Sequence, residues 1–382
     1  MLHLVFPLGH NFGWGVCGKY LAKELAKITE TKLLTSPDEM NKLNDELDRL
    51  FLEGIFADRE TFTTGLEDDL PGPVIQAIMG YNLLPMDGRI KGSPNIGYTF
   101  FEHSFLSPQS IEDARRIFDI VVAGSSWCEN VLRQHGLQNT GCIVQGVDRT
   151  IFNACENHKT LFDDKFVIFS GGKLEFRKGQ DLVIRAFKVL QDRHDDVLLV
   201  NSWFNPWPSS MQTMSSSPYI HFRCESDNYF RNIETLFVTN GVDPKNVVTL
   251  PPKPNVAMAG IYKNTDCGLF PNRCEGGTNL VLMEYMACGK PAIVSNSSGH
   301  CDVASGQNAV MLKEMKRLAI SDNGAKVAEW DDPDIDEIVD RLEWAYNNRT
   351  SLGAIGDAAG TSMEKFSWKS AAEQFHGLTS AV

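Results

Sequence analysis

The sequence lacks three features, each of which would define a class of protein. No apolar run approaches the ~20 residues that a membrane-spanning helix needs. Basic charge is not in surplus, because 36 Lys and Arg stand against 49 Asp and Glu for a net charge of −13, whereas a general nucleic-acid binder needs surplus cations. No HExxH, EF-hand or P-loop pattern occurs. We therefore expect no membrane span and no nucleic-acid partner, although a local basic pocket is compatible with this composition.

No CxxC pair occurs in the sequence, and its first residues do not have the pattern of a signal peptide. The nine cysteines are odd in number, scattered and without a CxxC pair, which is typical of buried thiols in a reducing compartment. Met1–Pro7 is too short for a signal peptide and lacks the basic start of one. We therefore expect a soluble cytoplasmic protein, with peripheral membrane contact left open, whose chain starts with a buried strand.

Short apolar runs alternate regularly with amphipathic segments along the chain. Gln180–His194, for example, places its apolar residues on one face at the helical period. Such alternation predicts an α/β fold with parallel sheets covered on both faces, and 382 residues suffice for two such domains. The predicted strands are Leu2–Phe6, Thr31–Thr35, Val74–Ala77, Ile96–Phe100, Ile120–Ala123 and Cys142–Val144, then Phe166–Ser170, Val197–Asn201, Val247–Leu250, Cys267–Phe270, Ala292–Ser295 and Ala309–Leu312.

A polar stretch without clear periodicity, Asp148–Lys165, separates the two series of strands. We therefore predict a first domain at 1–155 and a second at 156–365. The tail begins with an aromatic residue and continues at a helical period. We expect 366–382 to form a helix that packs back on the first domain.

A glycine-containing loop precedes a predicted helix of the second domain. The strand that ends at Phe270 is followed by Gly276 and Gly277, and Thr278 or Asn279 can cap the helix. Glycines let backbone amides approach an anion, and the helix dipole favours negative charge at this end. The loop therefore indicates a diphosphate site, with a capped core helix as the alternative.

Charged side chains flank this glycine loop in the sequence and in the predicted fold. Glu275 precedes the loop and Glu284 follows in the helix, and carboxylates accept hydrogen bonds from sugar hydroxyls. Lys173, Arg177 and Lys178 cluster after an earlier strand, just before a helix N-terminus. Cations are disfavoured there unless an anion binds, so we interpret the cluster as a phosphate clamp. Ligands of open α/β sheets bind at the carboxyl ends of the strands, where both segments lie.

Gly13-Trp-Gly15-Val-Cys-Gly18 matches the dinucleotide pattern GxGxxG, with Asp38 twenty residues further on. The first glycine, however, stands seven residues beyond Phe6, whereas that pattern needs a tight turn directly after its strand. We therefore expect no nicotinamide or flavin cofactor. Gly13 and Gly15 are interpreted as a loop before a helix at Lys19–Ile28, lining a cleft between the domains.

Two more polar segments have competing interpretations. Glu102 and His103 follow a predicted strand of the first domain, where either can meet a ligand or serve as an ordinary loop residue. Asp332-Pro-Asp334-Ile-Asp336 has the spacing of a DxD metal site, but it precedes a helical pattern with Pro333 at its start. Acidic residues stabilise the N-terminus of a helix, so we predict a cap and no bound metal.

Together these segments resemble the retaining glycosyltransferases of family 4, which have the GT-B fold of two facing Rossmann-like domains. GGKLEFRKGQDLVIRAF is similar to the family's G-[RK]-L-x3-KG-x-D-x-LI-x-AF segment, and EGGTNLVLMEYMACGKPAI to its paired-glutamate motif. VVAGSSWCENVLRQHGL, VQGVD-x2-IF and FSWKSAAEQF resemble three further segments, so the resemblance covers most of the chain. In two departures, the glutamates are nine residues apart instead of eight, and Lys173 replaces the commoner Arg.

The resemblance implies transfer of a hexose from UDP-glucose or GDP-mannose to a hydroxyl of a glycan, protein or lipid, with retention and without a metal or other cofactor. The first domain would bind the acceptor and the second the donor, whose base would meet the loop Pro251–Asn255. A nucleotide-sugar 2-epimerase and a non-catalytic nucleotide-sugar-binding subunit are the alternatives. The resemblance implies that Lys173 and Lys178 bind the diphosphate and that Glu284 binds the ribose. It implies that Glu275 holds the sugar and phosphate together with the backbone amides of Gly276, Gly277, Thr278 and Asn279. From the first domain, His103 or Glu102 would take part in catalysis.

Overall fold

Two parallel β-sheets form the centre of the computed structural model, which describes residues 1–380 apart from 44, 157, 206 and 225–227. The strands of the first sheet are β1 Leu2–Val5, β2 Thr31–Thr35, β3 Phe56–Asp58, β4 Val74–Met79, β5 Leu84–Pro85, β6 Asn95–Phe100, β7 Ile120–Ala123 and β8 Thr140–Cys142. Those of the second sheet are β9 Phe166–Gly171, β10 Val197–Ser202, β11 Val247–Thr249, β12 Cys267–Phe270, β13 Ala292–Ser295 and β14 Val310–Leu312.

The strand order reverses near the middle of each sheet. The first sheet runs β3-β2-β1-β4-β6-β7-β8, with β5 added antiparallel to β4, and the second runs β11-β10-β9-β12-β13-β14. All the other neighbours in these two sheets are parallel. Reversal at β1/β4 and at β9/β12 creates the crevice where open α/β sheets bind ligands. The predicted α/β class with two Rossmann-like sheets is confirmed.

Helices pack on both faces of each sheet, which explains why central strands such as β1, β9 and β12 are buried at every residue. In β9, Phe166 and Ile168 pack into one core cluster, whereas Val167 and Phe169 pack into another on the opposite face. The helices are α1 Gly13–Leu25, α2 Pro37–Asn41, α3 Glu46–Glu53, α4 Arg59–Thr63, α5 Pro108–Ile117, α6 Ser126–Gln134, α7 Gln180–Gln191, α8 Tyr229–Thr239, α9 Met258–Lys263, α10 Leu280–Ala287, α11 Ile335–Asn347, α12 Arg349–Ser362 and α13 Trp368–Thr379.

A solvent-exposed hairpin, β15 Met315–Asp322 and β16 Ala325–Pro333, was not predicted from the sequence. Its strands carry many charged residues and bury little surface, so they lack the apolar run that identified the sheet strands. The signal for it is Asn323-Gly324, both with positive φ, the dipeptide that favours a tight hairpin turn. The short strands β3 and β5 were missed as well.

The C-terminal helix α13 crosses back to the first domain. Trp368 stacks on Tyr20 of α1 with ring centroids 5.4 Å apart, and Phe375 meets Tyr98 of β6 at 4.9 Å. The last two residues of the predicted tail, 381–382, lie outside the described residues. The boundary at 155/156 lies in the connection between the two sheets and stays a prediction.

Candidate active site

A cleft of about 490 Å³ opens between the carboxyl ends of the two sheets. β6, β9, β10 and β12 all end beside it, and the loops after these strands supply many of its polar side chains. The predicted site residues that line this cleft are Gly13, Glu102, Lys173, Lys178, Glu275, Gly277, Asn279 and Glu284.

Glu275 forms a buried ion pair in the cleft. Lys178 Nζ lies 2.5 Å from Glu275 Oε1 and Arg177 Nη1 lies 3.3 Å from Oε2, while Asn272 also donates to Oε1. Burial raises the pKa of Glu275, but Lys178 and Arg177 outweigh that effect and lower it to about 2. Burial lowers the pKa of Lys178 despite its carboxylate partner. Glu275 is therefore ionised at neutral pH and held by three donors.

Arg177 connects this pair to the first domain. Its guanidinium contacts Glu175 at 2.9 Å and Glu102, across the cleft, at 3.2 Å. Glu175 in turn pairs with Lys173 at 3.0 Å, and Lys173 Nζ lies 5.0 Å from the centre of the Trp207 ring. Burial lowers the pKa of Arg177, but the surrounding carboxylates raise it well above its ordinary value. Three cations and three carboxylates thus form one continuous charged cluster.

Gly179 allows the turn that carries Lys178 to pack closely against the end of β12, the strand that precedes Glu275. Gly179 is the N-cap residue of α7 and has a φ of 73°, which residues with a side chain rarely adopt. A Cβ at this position would lie 2.2 Å from the carbonyl oxygen of Pro271, directly after β12. The close approach of these two backbone segments brings the ammonium of Lys178 to the carboxylate of Glu275.

Helix α10 presents its N-terminus to the cleft. Its N-cap residue Asn279 is left-handed, with a φ of 62°, and gives no side-chain cap. Asn279 Nδ2 instead lies 3.2 Å from Nε2 of buried His300. The first N–H groups of a helix lack partners within it, so this turn can bind an anion. The predicted side-chain cap by Thr278 or Asn279 is wrong, because the Thr278 hydroxyl donates to Met283 Sδ at 3.0 Å.

Glu284 forms a separate polar site one turn into α10. Asn255 Nδ2 donates to Glu284 Oε1 at 2.5 Å and Tyr262 OH to Oε2 at 3.4 Å. Burial raises the pKa of Glu284 to about 8, against the opposing effect of these two hydrogen bonds. Glu284 is therefore largely protonated at pH 7, unlike Glu275.

The GxGxxG segment forms the first turns of α1 rather than a loop before it, because α1 begins at Gly13. A Cβ at Gly15 would lie 2.6 Å from the backbone nitrogen of Gly9, and one at Gly18 would lie 2.2 Å from the carbonyl oxygen of Pro7. These two glycines let α1 pack against the chain after β1. Gly13 lines the cleft and Gly15 does not, which corrects the position expected for Gly15.

Three other predicted site residues lie outside the cleft lining. His103 stacks on Tyr81 with ring centroids 3.8 Å apart. Gly276 faces the first domain, where its carbonyl accepts a hydrogen bond from Ser125 Oγ at 2.6 Å. Thr278 is buried against α10. Of the two first-domain candidates for catalysis, Glu102 lines the cleft and His103 does not.

The β15–β16 hairpin holds Glu102 from the second domain. Trp330 Nε1 donates to the Glu102 carbonyl oxygen at 2.8 Å, and the Glu329 amide donates to Ser104 Oγ at 2.8 Å. The hairpin thereby fixes the backbone that carries the Glu102 side chain toward Arg177. An unpredicted element thus positions a predicted site residue.

The acidic segment at the end of the hairpin is structural. Asp334 caps α11 by accepting from the Asp336 amide at 2.9 Å, and Asp332 binds buried Arg273 at 2.6 Å. The predicted cap is therefore confirmed for Asp334. Pro333 belongs to β16 and precedes the cap, rather than beginning the helix.

The described part of the chain holds no group of three or more His, Cys, Asp or Glu side chains placed to bind a metal ion. Within the same residues, no helix is long and apolar enough to cross a membrane. Metal independence and cellular location stay predictions.

Several cleft residues were not singled out from the sequence. Trp14 is an unspecified position of the GxGxxG pattern, yet it lines the cleft and meets Phe100 edge-on at 4.5 Å. Trp207 also lines the cleft, and the aromatic run of residues 203–207 after β10 is the signal that could have found it. His300 is buried behind the cleft and contacts Asn279. The sequence did not identify it, because this contact joins residues that are 21 positions apart.

Residues 164–326 match the family model Glycosyl transferases group 1. Two curated proteins described as D-inositol 3-phosphate glycosyltransferase are similar to this chain. The protein of Arthrobacter sp. (strain FB24) is 23% identical over 242 residues, covering 60% of this chain and 48% of the relative. The protein of Corynebacterium jeikeium (strain K411) is 25% identical over 207 residues, covering 54% of this chain and 41% of the relative. The chain thus spans about half the length of the curated relatives it matches, or less.

Solved structures match over nearly the full chain. Sucrose-phosphate synthase from Thermosynechococcus elongatus has a TM-score of 0.68 at 15% identity, covering 99% of this chain and 97% of that one. Anabaena HepE in complex with UDP-glucose has a TM-score of 0.67 at 14% identity, covering 100% and 99%. The predicted enzyme class, a glycosyltransferase, agrees with these comparisons. The chain has the GT-B fold, and the segment 164–326, which holds the second sheet, is similar to the family Glycosyl transferases group 1.

Proposed function

We propose that this chain transfers a hexose from a nucleoside diphosphate sugar to an acceptor hydroxyl. The observation that carries the proposal is the placement of Lys173 and Lys178 in one cleft with the N-terminus of α10. A leaving diphosphate needs cations and preorganised amides that stabilise its developing charge. The family match over the segment that holds these residues supports the same reaction class.

When the donor binds, its phosphates would replace the Glu275 carboxylate as the partner of Lys178. Glu275 keeps Arg177 and Asn272 as partners, so its charge stays compensated when Lys178 turns to a phosphate. Glu275 and the backbone of Gly277 and Asn279 would then hold the sugar ring and the phosphate. We assign Glu275 to binding and not to attack, because a carboxylate with three donors is a poor nucleophile.

The ribose would bind at Glu284. Its carboxyl group lies in the same cleft as the phosphate-binding residues, and Asn255 fixes its orientation. Ribose hydroxyls donate well to a carboxylate, so ligand binding would favour the ionised form of Glu284. The loop 251–255, which includes Asn255, would contact the base.

The finer features of the reaction belong to this proposal. UDP-glucose is the first donor to test, because HepE, which shares the fold, has been crystallised with it. Retention of configuration and independence from metal follow from the family resemblance. Glu102, the first-domain carboxylate in the cleft, would contact the acceptor.

A panel of ligands tests the proposal. The purified full chain is heated with UDP, GDP, ADP and their hexose derivatives, since a ligand that binds the native state raises its stability. We expect one base to raise Tm and the matching donor to release nucleoside diphosphate when an acceptor is present. An epimerised sugar without acceptor would favour the epimerase, and binding without turnover would favour the binding subunit. Binding to none of the nucleotides would contradict the proposal.

A further inference from the structure

The two walls of the cleft differ in charge. The first domain contributes the Glu102 carboxylate and the aromatic side chains of Phe12 and Trp14. Burial lowers the pKa of His10, the imidazole on the same wall, and so disfavours its charged form. Among the described residues that line the cleft, the cations all belong to the second domain: Lys173, Arg177, Lys178 and Lys253.

Among the described residues, three of the four cations that line the cleft are already matched by carboxylates: Lys173, Arg177 and Lys178. Arg177 is shared among Glu102, Glu175 and Glu275, at distances of 3.2, 2.9 and 3.3 Å. Lys178 pairs with Glu275, and the remaining lysine of the cluster pairs with Glu175. A donor diphosphate adds negative charge to a cluster that is balanced without it. A second phosphate group, on the acceptor, would meet a site with excess negative charge.

The first-domain wall is suited to a sugar ring. Trp14 packs edge-on against Phe100 at 4.5 Å, and Phe12 meets Trp207 of the other domain at 5.9 Å. Aromatic side chains of this kind offer rigid apolar surface to the C–H face of a ring. Glu102 can accept hydrogen bonds from the hydroxyls of the same ring. Apolar contact and a hydroxyl acceptor together fit a polyhydroxylated ring.

We propose that the acceptor site on the first-domain wall takes an uncharged carbohydrate and discriminates against a phosphorylated one. This inference rests on the proposed transferase function, because it names the acceptor of that reaction. Glu102 and Trp14 determine the specificity: Glu102 repels a phosphate and accepts from hydroxyls, while Trp14 packs on the ring.

Ligand-observed NMR with two matched pairs of probes tests the proposal on the chain saturated with a nucleoside diphosphate, UDP first, which fills the diphosphate site and supplies its charge. The pairs are glucose with glucose 6-phosphate, and myo-inositol with myo-inositol 3-phosphate. We expect the neutral member of at least one pair to bind at least about tenfold more tightly than its phosphorylated partner. In Glu102→Gln the difference in affinity between the neutral and the phosphorylated probe should decrease, because the phosphorylated probe gains affinity. Trp14→Leu should weaken the neutral probe.

Matched controls separate this inference from the proposed function. Glu112→Gln removes an exposed carboxylate on α5 that pairs with Arg115, and it should discriminate as the natural chain does. Thermal unfolding confirms that each variant is folded. Equal or tighter binding of the phosphorylated probes, or no binding of either neutral probe, would overturn the inference. Failure to bind UDP, GDP or ADP in calorimetry would contradict the transferase proposal. The probes are then compared on the chain alone, where Glu102 still has to disfavour the phosphorylated member of each pair.

Discussion

Asn255 and Glu284 are joined by a 2.5 Å hydrogen bond from the amide of one to the carboxyl group of the other. The backbone of Asn255 also donates to the carbonyl of His10 in the first domain at 3.2 Å. The bond therefore links the proposed ribose site to the contact between the domains. Asn255 Oδ1 is buried and has no partner among the described residues, so it can accept a hydrogen bond from a ligand.

Glu284→Gln should weaken UDP binding more than binding of 2′-deoxy-UDP, because the amide accepts from the ribose hydroxyls without the strength of a charge. The pKa of Glu284 is about 8, so the natural chain should release a proton when the ribose binds at pH 7. UDP affinity should then rise with pH until about 8 and level off above it. Calorimetry in buffers of different ionisation enthalpy measures that proton.

The Glu284→Gln chain is its own control for proton release, which should vanish with the carboxyl group. Equal losses for UDP and 2′-deoxy-UDP would place Glu284 away from the 2′-hydroxyl. A pH profile that is unchanged by the substitution would assign the titration to another group.

Lys178→Ala should weaken nucleoside diphosphate binding by roughly ten- to a hundredfold, on the order of 1.5–3 kcal/mol for one charge-assisted contact. The loss should be larger for UDP than for uridine, which lacks the phosphates. Calorimetry with both ligands measures the difference. Lys188→Ala, on the exposed face of α7, removes a cation from the same helix region as a matched control. Unchanged UDP affinity in Lys178→Ala would contradict the phosphate clamp.

The sequence located the sheets and the charged site for the same physical reason. Strands covered on both faces must be apolar throughout, so β9 and β12 stand out from their surroundings. Chemistry in such folds gathers where strands end, so Lys178 and Glu275 could be assigned to one site from the sequence. The ion pair between them was not predicted. Neither inference needs a contact between distant parts of the chain.

What the sequence could not locate depends on such distant contacts. Gly13, Gly15 and Gly18 belong to one sequence pattern, which does not show which of them faces the cleft. The packing of α1 determines this, because Gly15 and Gly18 lie against the chain after β1. Glu102 and His103 are adjacent in the sequence, so the sequence does not show which side chain enters the cleft. The β15–β16 hairpin binds the backbone of Glu102 and so helps to position its side chain there. The hairpin itself is polar, so periodicity gave no sign of it.

Arg273→Ala should destabilise the chain by about 3–5 kcal/mol, because it leaves the buried Asp181 carboxylate without its cationic partner and, among the described residues, with only the Ser217 hydroxyl as a side-chain donor. Arg273 is fully buried and donates to both carboxylate oxygens of Asp181 at 2.8 Å, as well as to Asp332 at 2.6 Å. Chemical denaturation measures the free energy of unfolding. The double variant Arg273→Met/Asp181→Leu should recover part of the loss, since it removes both buried charges. A loss below about 1 kcal/mol would show that the network contributes little.

Transfer should proceed at an undiminished rate in EDTA. In the proposed mechanism Lys173, Lys178 and the amides at the N-terminus of α10 stabilise the leaving diphosphate. The rate of UDP release in EDTA, with and without added Mg²⁺ or Mn²⁺, is the measurement. Activity that EDTA abolishes and a divalent ion restores would contradict metal independence and direct attention to the carboxylates around Arg177.

The product should keep the anomeric configuration of the donor, and no covalent sugar should form on Glu275. Double displacement needs a carboxylate free to attack beside a second acid or base. Glu275 instead has Lys178, Arg177 and Asn272 as donors, and its pKa of about 2 reflects how strongly the two cations stabilise its charge. We therefore expect the acceptor to approach on the face that the diphosphate leaves, with a phosphate oxygen taking its proton.

Glu275→Gln should lower kcat by weakening the hold on the sugar ring, without leaving a glycosyl-enzyme adduct. NMR of the first-formed product determines its stereochemistry, and intact mass spectrometry with donor alone detects an adduct. An inverted product would contradict the resemblance to retaining family 4 enzymes. A covalent sugar on Glu275 is a different result, because it would preserve retention and show that the buried ion pair opens far enough to free the carboxylate. The two measurements therefore test the stereochemistry and the role of the Lys178–Glu275 pair independently.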